Sequence, residues 1–159
     1  MRLHFKPVGW FSSRYRVELG GDRAAPVAYL DFATWRTGAM LELADTTLEL
    51  RRDPLDGALV LLRDGTPEAQ AVKPSVWAYT YSLEWAGGAG HLRADGSWGS
   101  VYVLEHEGQR LARMKQSAWG TGRAEGAFPD DWPVERALFV AAVAMLAWRA
   151  QAGAAAASA

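Results

Sequence analysis

The stretch "ERALFVAAVAMLAWRAQ", residues 135–151, decides how this chain folds. From Ala137 to Trp148, twelve consecutive residues carry no polar side chain. A bilayer span takes about 20 predominantly apolar residues, whereas runs of about 10–14 belong more often to core helices. This run stops at Arg136 on one side and Arg149 on the other, so it falls short of a span. A helix lying along a membrane surface needs a polar face opposite its apolar one, and between 137 and 148 there is none. A helix that is apolar all round is enclosed on all sides. The segment is therefore predicted to be an interior helix, with no transmembrane span. It is slim, because Ala137, Ala141, Ala142, Ala144 and Ala147 alternate with Leu138, Phe139, Val143, Met145 and Leu146. "FPDDWP" (128–133) leads into it: acidic residues suit a helix N-terminus and Pro is tolerated in the first turn. Either Asp131 or Trp132 is its cap.

What encloses such a helix is written in the preceding residues. In "AYTYSLEW", Tyr79, Tyr81, Leu83 and Trp85 fall on one side and Thr80, Ser82 and Glu84 on the other, the two-residue period of a half-buried strand. Trp35, Trp77 and Trp119 are spaced by 42 residues, and their surroundings repeat: "MLEL" (40–43) over "SLEW" (82–85), "LRRD" (50–53) over "LRAD" (92–95). Turns recur ahead of each Trp, at "LGGD" (19–22), "RDGT" (63–66) and "HEGQ" (106–109). A fixed period with matching local chemistry denotes repeated supersecondary units. Each unit reads as four strands, beginning with "RYRVEL", "ALVLLR" and "SVYVLE"; Pro74 interrupts one of them. The third unit is one strand short, and "RLHFK" (2–6) supplies the missing strand. Twelve strands result. An eight-stranded barrel is filled by its own side chains, while a wider one leaves a lumen, and a helix of about 10–12 Å diameter fits that space. The expected fold is all-β with one helix: a twelve-stranded closed antiparallel β-barrel around a buried C-terminal α-helix. It occupies residues 1–151 as a single domain, followed by a disordered Ala-rich tail, 152–159. A β-propeller has a similar repeat length but typically four to eight blades, and it would leave the helix without a place.

The strands "YRVEL", "WAYTYSLEW" and "RLARMKQSAW", followed by "DDWPVERALFVAAVAMLAW", resemble the tubby-like superfamily over residues 2–151. That group includes tubby C-terminal domains, phospholipid scramblases and LURP-one-related proteins. The resemblance is one of pattern and ordering. It implies the helix-filled barrel and a lipid-linked role, through phosphoinositide binding or action on phospholipids. The chain has neither a Lys-rich cluster nor the closely spaced acidic ligands of a calcium loop.

Composition restricts the chemistry. The net charge is −1, from 17 basic and 18 acidic residues, which gives no overall attraction to nucleic acid. There is no Cys, so thiolate chemistry and zinc–cysteine sites are excluded. The 14 Arg against 3 Lys, with abundant Ala, fit a GC-rich, bacterial coding sequence, and "MRLHFKPVGW" lacks a signal-peptide core. A cytoplasmic location is expected.

No nucleophile–base–orienter set can be assembled, and His4, His91 and His106 lack metal-ligand spacing, so no catalytic, cofactor or metal residues are assigned. "WAGGAG" and "WGTGRAEG" read as hairpin turns and not phosphate loops. The best basic group is Arg110, Arg113 and Lys115, with Arg123 across a hairpin. On a strand Arg113 and Lys115 share a face, where they could meet one phosphate or form part of a solvated outer face. Arg51 and Arg52 alternate and make a poor clamp. The expected function is that of a non-enzymatic binding module. It recognises an anionic phospholipid headgroup, on a membrane surface, or a protein partner at Arg110, Arg113, Lys115 and Arg123 on the outer barrel. The alternative is an open-barrel carrier or enzyme acting on a small apolar ligand.

Overall fold

The structure is a computed structural model. It describes residues 1–9, 13–20, 25–32, 38–74, 80–95, 100–117 and 122–157. Trp35, Trp77 and Trp119, which mark the sequence repeat, lie outside the described residues, as do Tyr79 and parts of the "LGGD" turn.

Twelve strands precede one helix. They are β1 (Arg2–Pro7), β2 (Arg14–Leu19), β3 (Pro26–Phe32), β4 (Gly38–Leu43), β5 (Thr47–Arg52) and β6 (Leu59–Arg63). Then come β7 (Thr66–Val72), β8 (Thr80–Trp85), β9 (Gly88–Ala94), β10 (Val101–His106), β11 (Gln109–Gln116) and β12 (Ala124–Ala127), followed by α1 (Val134–Ala157). Every strand pairs antiparallel with its sequence neighbours. The barrel closes where β1 meets β12, with Leu3 opposite Gly126 and Phe5 opposite Ala124. The first strand thus fills the vacancy in the third unit.

Turn chemistry fixes the hairpins. Asp64–Gly65 and Glu107–Gly108 have positive φ at both positions, the backbone of a two-residue turn whose twist matches the strands it joins. Pro74 has no place inside β7, which ends at Val72, because proline cannot supply a ladder N–H. The threefold repeat is also visible in the ladder. The hairpins β2–β3, β6–β7 and β10–β11, which open the three units, each carry a register shift, at Val17/Glu18, Leu61/Leu62 and Leu104/Glu105. Such a bulge bends a strand and increases its twist. Three bulges at equivalent places distribute the curvature that closure demands.

Alternate strand residues point inward. Leu3, Phe5, Val17, Leu30, Leu41, Leu48, Leu50, Leu83, Leu92, Tyr102 and Leu104 are all buried and belong to one core cluster with the helix. From Ala137 to Trp148 every residue except the half-buried Leu146 is buried. The helix therefore runs through the lumen, and its backbone comes nearest to β4. Small residues on both sides permit that approach, Gly38 and Ala39 being buried at the start of β4.

Helix length departs from the sequence reading. At 24 residues, α1 is long enough to cross a bilayer by length and composition. Length alone thus does not separate the two states, and enclosure by the strands does. The helix continues through Ala157, past residue 151, because alanine is the strongest helix former and needs no partner to extend a helix already nucleated. At its start neither Asp131 nor Trp132 adjoins the first turn. Val134 is the first helical residue, and the Pro133 carbonyl accepts from Arg136 N at 3.1 Å and Ala137 N at 3.4 Å.

Candidate functional site

Both mouths of the barrel are stoppered by aromatic side chains. Where α1 enters, Trp85 and Trp132 meet at 5.5 Å with their planes inclined by 60°, Phe128 lies 6.4 Å from Trp132, and the Arg136 guanidinium sits over both indoles at 5.6 and 5.4 Å. Arg136 also donates to the Ala86 carbonyl at 3.3 Å. Where α1 leaves, Tyr102 meets Trp148 at 5.8 Å and Gln151 Nε2 donates to the Tyr102 hydroxyl at 2.7 Å. Arg149 lies over Phe32, which packs edge-on against Tyr15. Burial raises the Tyr15 phenol above its ordinary range, with Arg149 opposing. The cavities at the two mouths are modest, about 410 Å³ beside Arg63, Glu135 and Phe139 and about 110 Å³ beside Tyr15 and Trp148.

A larger concavity lies on the outside. A groove of about 1020 Å³ crosses β4 to β7. Its floor comes from outward-facing Met40, Val60, Leu62 and Pro67, and Arg51 and Arg52 stand at its edge beside Glu49 and Gln70. Arg52 is the last residue of β5. Its guanidinium folds back to the Gly57 carbonyl at 3.2 Å, so both arginines reach one groove although their positions alternate along the strand. Leu62 and Val103 lie outside the core cluster and are nevertheless buried. Val103 is paired across the ladder with Arg93 and Arg113, whose aliphatic stems can shield it while their charged ends stay in water.

Arg110, Arg113 and Lys115 are all exposed on β11, and Arg123 closes the β11–β12 hairpin, where Ser117 N donates to its carbonyl at 2.9 Å. Arg113 and Lys115 share the outer face, as their spacing predicts. The group is divided between two sides. Arg110 is drawn to Asp95 (3.4 Å), next to the forked Arg93–Glu105 pair at 2.7 and 3.0 Å. Hydrogen bonding from Arg93 holds the Glu105 carboxyl below its ordinary range. Lys115 instead lies opposite Glu125, which pairs with Arg2 at 3.3 Å. Further round the wall, Glu18 is 1% exposed between Lys6 (2.8 Å) and Arg16 (2.6 Å), and its carboxyl is held below the usual range chiefly by the Lys6 hydrogen bond.

The histidines do not converge. His91 Nδ1 meets Ser82 Oγ at 3.3 Å, and His106 is 4.0 Å from Glu107, which stands in the turn rather than on the strand where it would face away. Among the described residues no group of three potential metal ligands occurs. The groove is the element that sequence reasoning missed. Its signal was present in "ALVLLR", where Val60 and Leu62 break the polar alternation that an outward face would show.

The chain matches no family model, no curated protein and no solved structure in comparisons with each.

Proposed function

We propose that this chain is a non-enzymatic binding module that recognises an anionic group, foremost a phospholipid headgroup, on the outside of the barrel. The observation that carries this reading is the filled lumen. Ala137, Leu138, Val140, Ala141, Ala142, Val143 and Ala144 are 0% exposed, so the helix occupies the space a carried ligand would need. Binding then falls to the exterior, where the groove edged by Arg51 and Arg52 and the Arg113–Lys115 face of β11 offer cations to an anion. The resemblance to tubby-like barrels points to the same class of partner.

Co-sedimentation with vesicles of phosphatidylcholine, with and without an anionic lipid, at low and high salt tests this. Binding that needs the anionic lipid and weakens with salt is the expected result. Absence of binding, or indifference to salt, removes the headgroup. One-to-one uptake of a fatty acid or apolar dye by the native protein would replace the module with a carrier.

A further inference from the structure

We propose that the wall formed by β11, β12, β1 and β2, astride the barrel seam, lies against an anionic bilayer and gathers several headgroups at once. The proposal rests on the reading of the chain as a headgroup-binding module. It selects the surface used and sets the barrel axis parallel to the membrane. It also makes surface charge density, not the identity of one headgroup, the property recognised.

The four strands carry Arg2 and Lys6 on β1, Arg14 and Arg16 on β2, and Arg110, Arg113 and Lys115 on β11, against Glu18 and Glu125. Their described connections add Arg123 and the Met1 amine against Glu107, Asp130 and Asp131, for a net charge of +4. Strands β5–β8 form the opposite wall of the closed barrel. There Arg51, Arg52 and Arg63 cancel Glu49, Glu68 and Glu84. The described connections of that wall add Lys73 against Asp45, Asp53, Asp56 and Asp64, for a net charge of −3. Carboxylates reaching in from neighbouring elements do not erase the difference. Asp95 and Glu42, which draw Arg110 and Arg14, lower the seam wall to +2, and Glu135, which pairs with Arg63, lowers the opposite wall to −4.

Placement sharpens the contrast. Glu18 is buried, while its partner Arg16 remains 47% exposed, so the acid lies beneath and the cation faces out. Arg113 and Arg2 flank Ala127 in the ladder, two strand spacings or about 10 Å apart, and Lys115 is two residues, or about 7 Å, along from Arg113. Among the described residues neither Arg113 nor Lys115 forms an ion pair. Cations spread in this way over a convex wall do not converge on one anion. They suit a field of headgroups that can diffuse beneath them.

The same wall disfavours other polyanions. Its outward strand positions carry no Trp, Tyr or Phe on which the bases of a single strand could stack. They also carry no large apolar side chain to form the dry centre of a protein interface. Attraction of Lys and Arg to an anionic membrane surface needs neither. That surface attracts the seam wall and repels the opposite one, which turns the barrel broadside.

The test uses the intact chain and phosphatidylcholine vesicles with increasing shares of phosphatidylglycerol or phosphatidylserine. Binding should rise steeply with anionic share, equally for the two lipids, and fall with salt. Arg113→Gln/Lys115→Gln should weaken it about thirtyfold while melting like the parent. The exchange Arg113→Lys/Lys115→Arg, which keeps the charge, should retain it. Arg51→Gln/Arg52→Gln removes the same charge from the opposite wall, beyond the screening length of about 8–10 Å, and should bind within about twofold of the parent. Because the chain has no Cys, Ala127→Cys and Gln70→Cys can each carry one environment-sensitive dye; vesicles should shift the first and not the second. If Arg51→Gln/Arg52→Gln weakens binding and Arg113→Gln/Lys115→Gln does not, or if the dye responds at Gln70→Cys instead, the lipid sits on the groove side and this wall is refuted alone. Loss of binding in the charge-keeping exchange would mean a single stereospecific headgroup site and would also overturn the proposal. Binding of an oligonucleotide in place of vesicles, abolished by Arg113→Gln/Lys115→Gln, would reassign the wall to nucleic acid. Absence of vesicle binding by the parent would remove both this inference and the headgroup reading.

Discussion

Phe139→Ala probes the enclosed helix most directly. Phe139 is 1% exposed, in the stretch of α1 that runs inside the strands. Truncating a buried Phe to Ala costs about 3–5 kcal/mol, combining lost transfer energy with a cavity that the surroundings fill only in part. The lumen wall is a hydrogen-bonded cylinder and cannot collapse freely, which favours the upper half of that range. For a chain of this size each kcal/mol lowers the melting temperature by about 2–4 °C, so a fall of about 10 °C or more is expected. Leu55→Ala is the exposed control: at 95% exposure, truncating a large apolar side chain there should change stability by no more than about 0.5 kcal/mol. Urea unfolding followed by circular dichroism gives both values, and equal slopes would show that the variants unfold to similar states. If Phe139→Ala proves as mild as Leu55→Ala, the helix is not enclosed in solution, and the filled-lumen reading fails with it.

Gly126→Ala should also destabilise, by about 1–3 kcal/mol, because the added Cβ would lie 2.4 Å from the Phe128 ring and 2.6 Å from Met114 Sδ; chemical denaturation measures this, and a neutral result would show slack at the seam. Glu18 has a lowered carboxyl pKa, so its ionised form adds stability above the unfolded value of about 4.3, and that contribution disappears as pH falls through the lower folded value. The melting-temperature gap between the parent and Glu18→Gln should therefore be widest near neutrality and narrow on acidification below pH ~4.3; a constant gap would contradict the assignment. Arg136→Ala removes the cation over Trp85 and Trp132 and should cost about 1 kcal/mol, with a red shift in emission as the two rings become wetter.

The strands were legible because two signals coincided. Alternation in "TYSLEW" placed Tyr81 and Leu83 inward, and Asp64–Gly65 and Glu107–Gly108 fixed where the chain turned. The helix was legible from Ala137–Trp148, which had no polar side. Its extent was less so, since the alanines beyond 151 show no periodicity and their helicity is inherited from the turns before them. The groove was only partly legible: Val60 and Leu62 mark an apolar outer face in β6, while its shape depends on the curvature of the outer wall over β4 to β7. Arg51 and Arg52 alternate as the strand period predicts, Arg51 opposite Val60 and Arg52 opposite the buried Leu59, and Arg52 turns its guanidinium to Gly57 in the adjoining loop. Arg110, Arg113 and Lys115 are exposed on β11, and Arg123 is exposed in the connection that follows it. Sequence spacing could not reveal that Asp95, in the β9–β10 connection, would draw Arg110 to one side while Glu125 lies opposite Lys115 on the other.

The seam between β1 and β12 has a consequence for biosynthesis. Residues 2–5 leave the ribosome well over a hundred residues before their partners, 124–127, and the helix that must occupy the centre comes later still. Closing so long a loop carries a large entropic penalty before any contact rewards it, which makes the final assembly slow. Until then the nascent sheet has two unsatisfied edges and an apolar inner surface, a combination prone to aggregation. Translation of this chain should thus be unusually dependent on holding chaperones. A stop codon anywhere before Trp148 should yield insoluble protein rather than a smaller folded one.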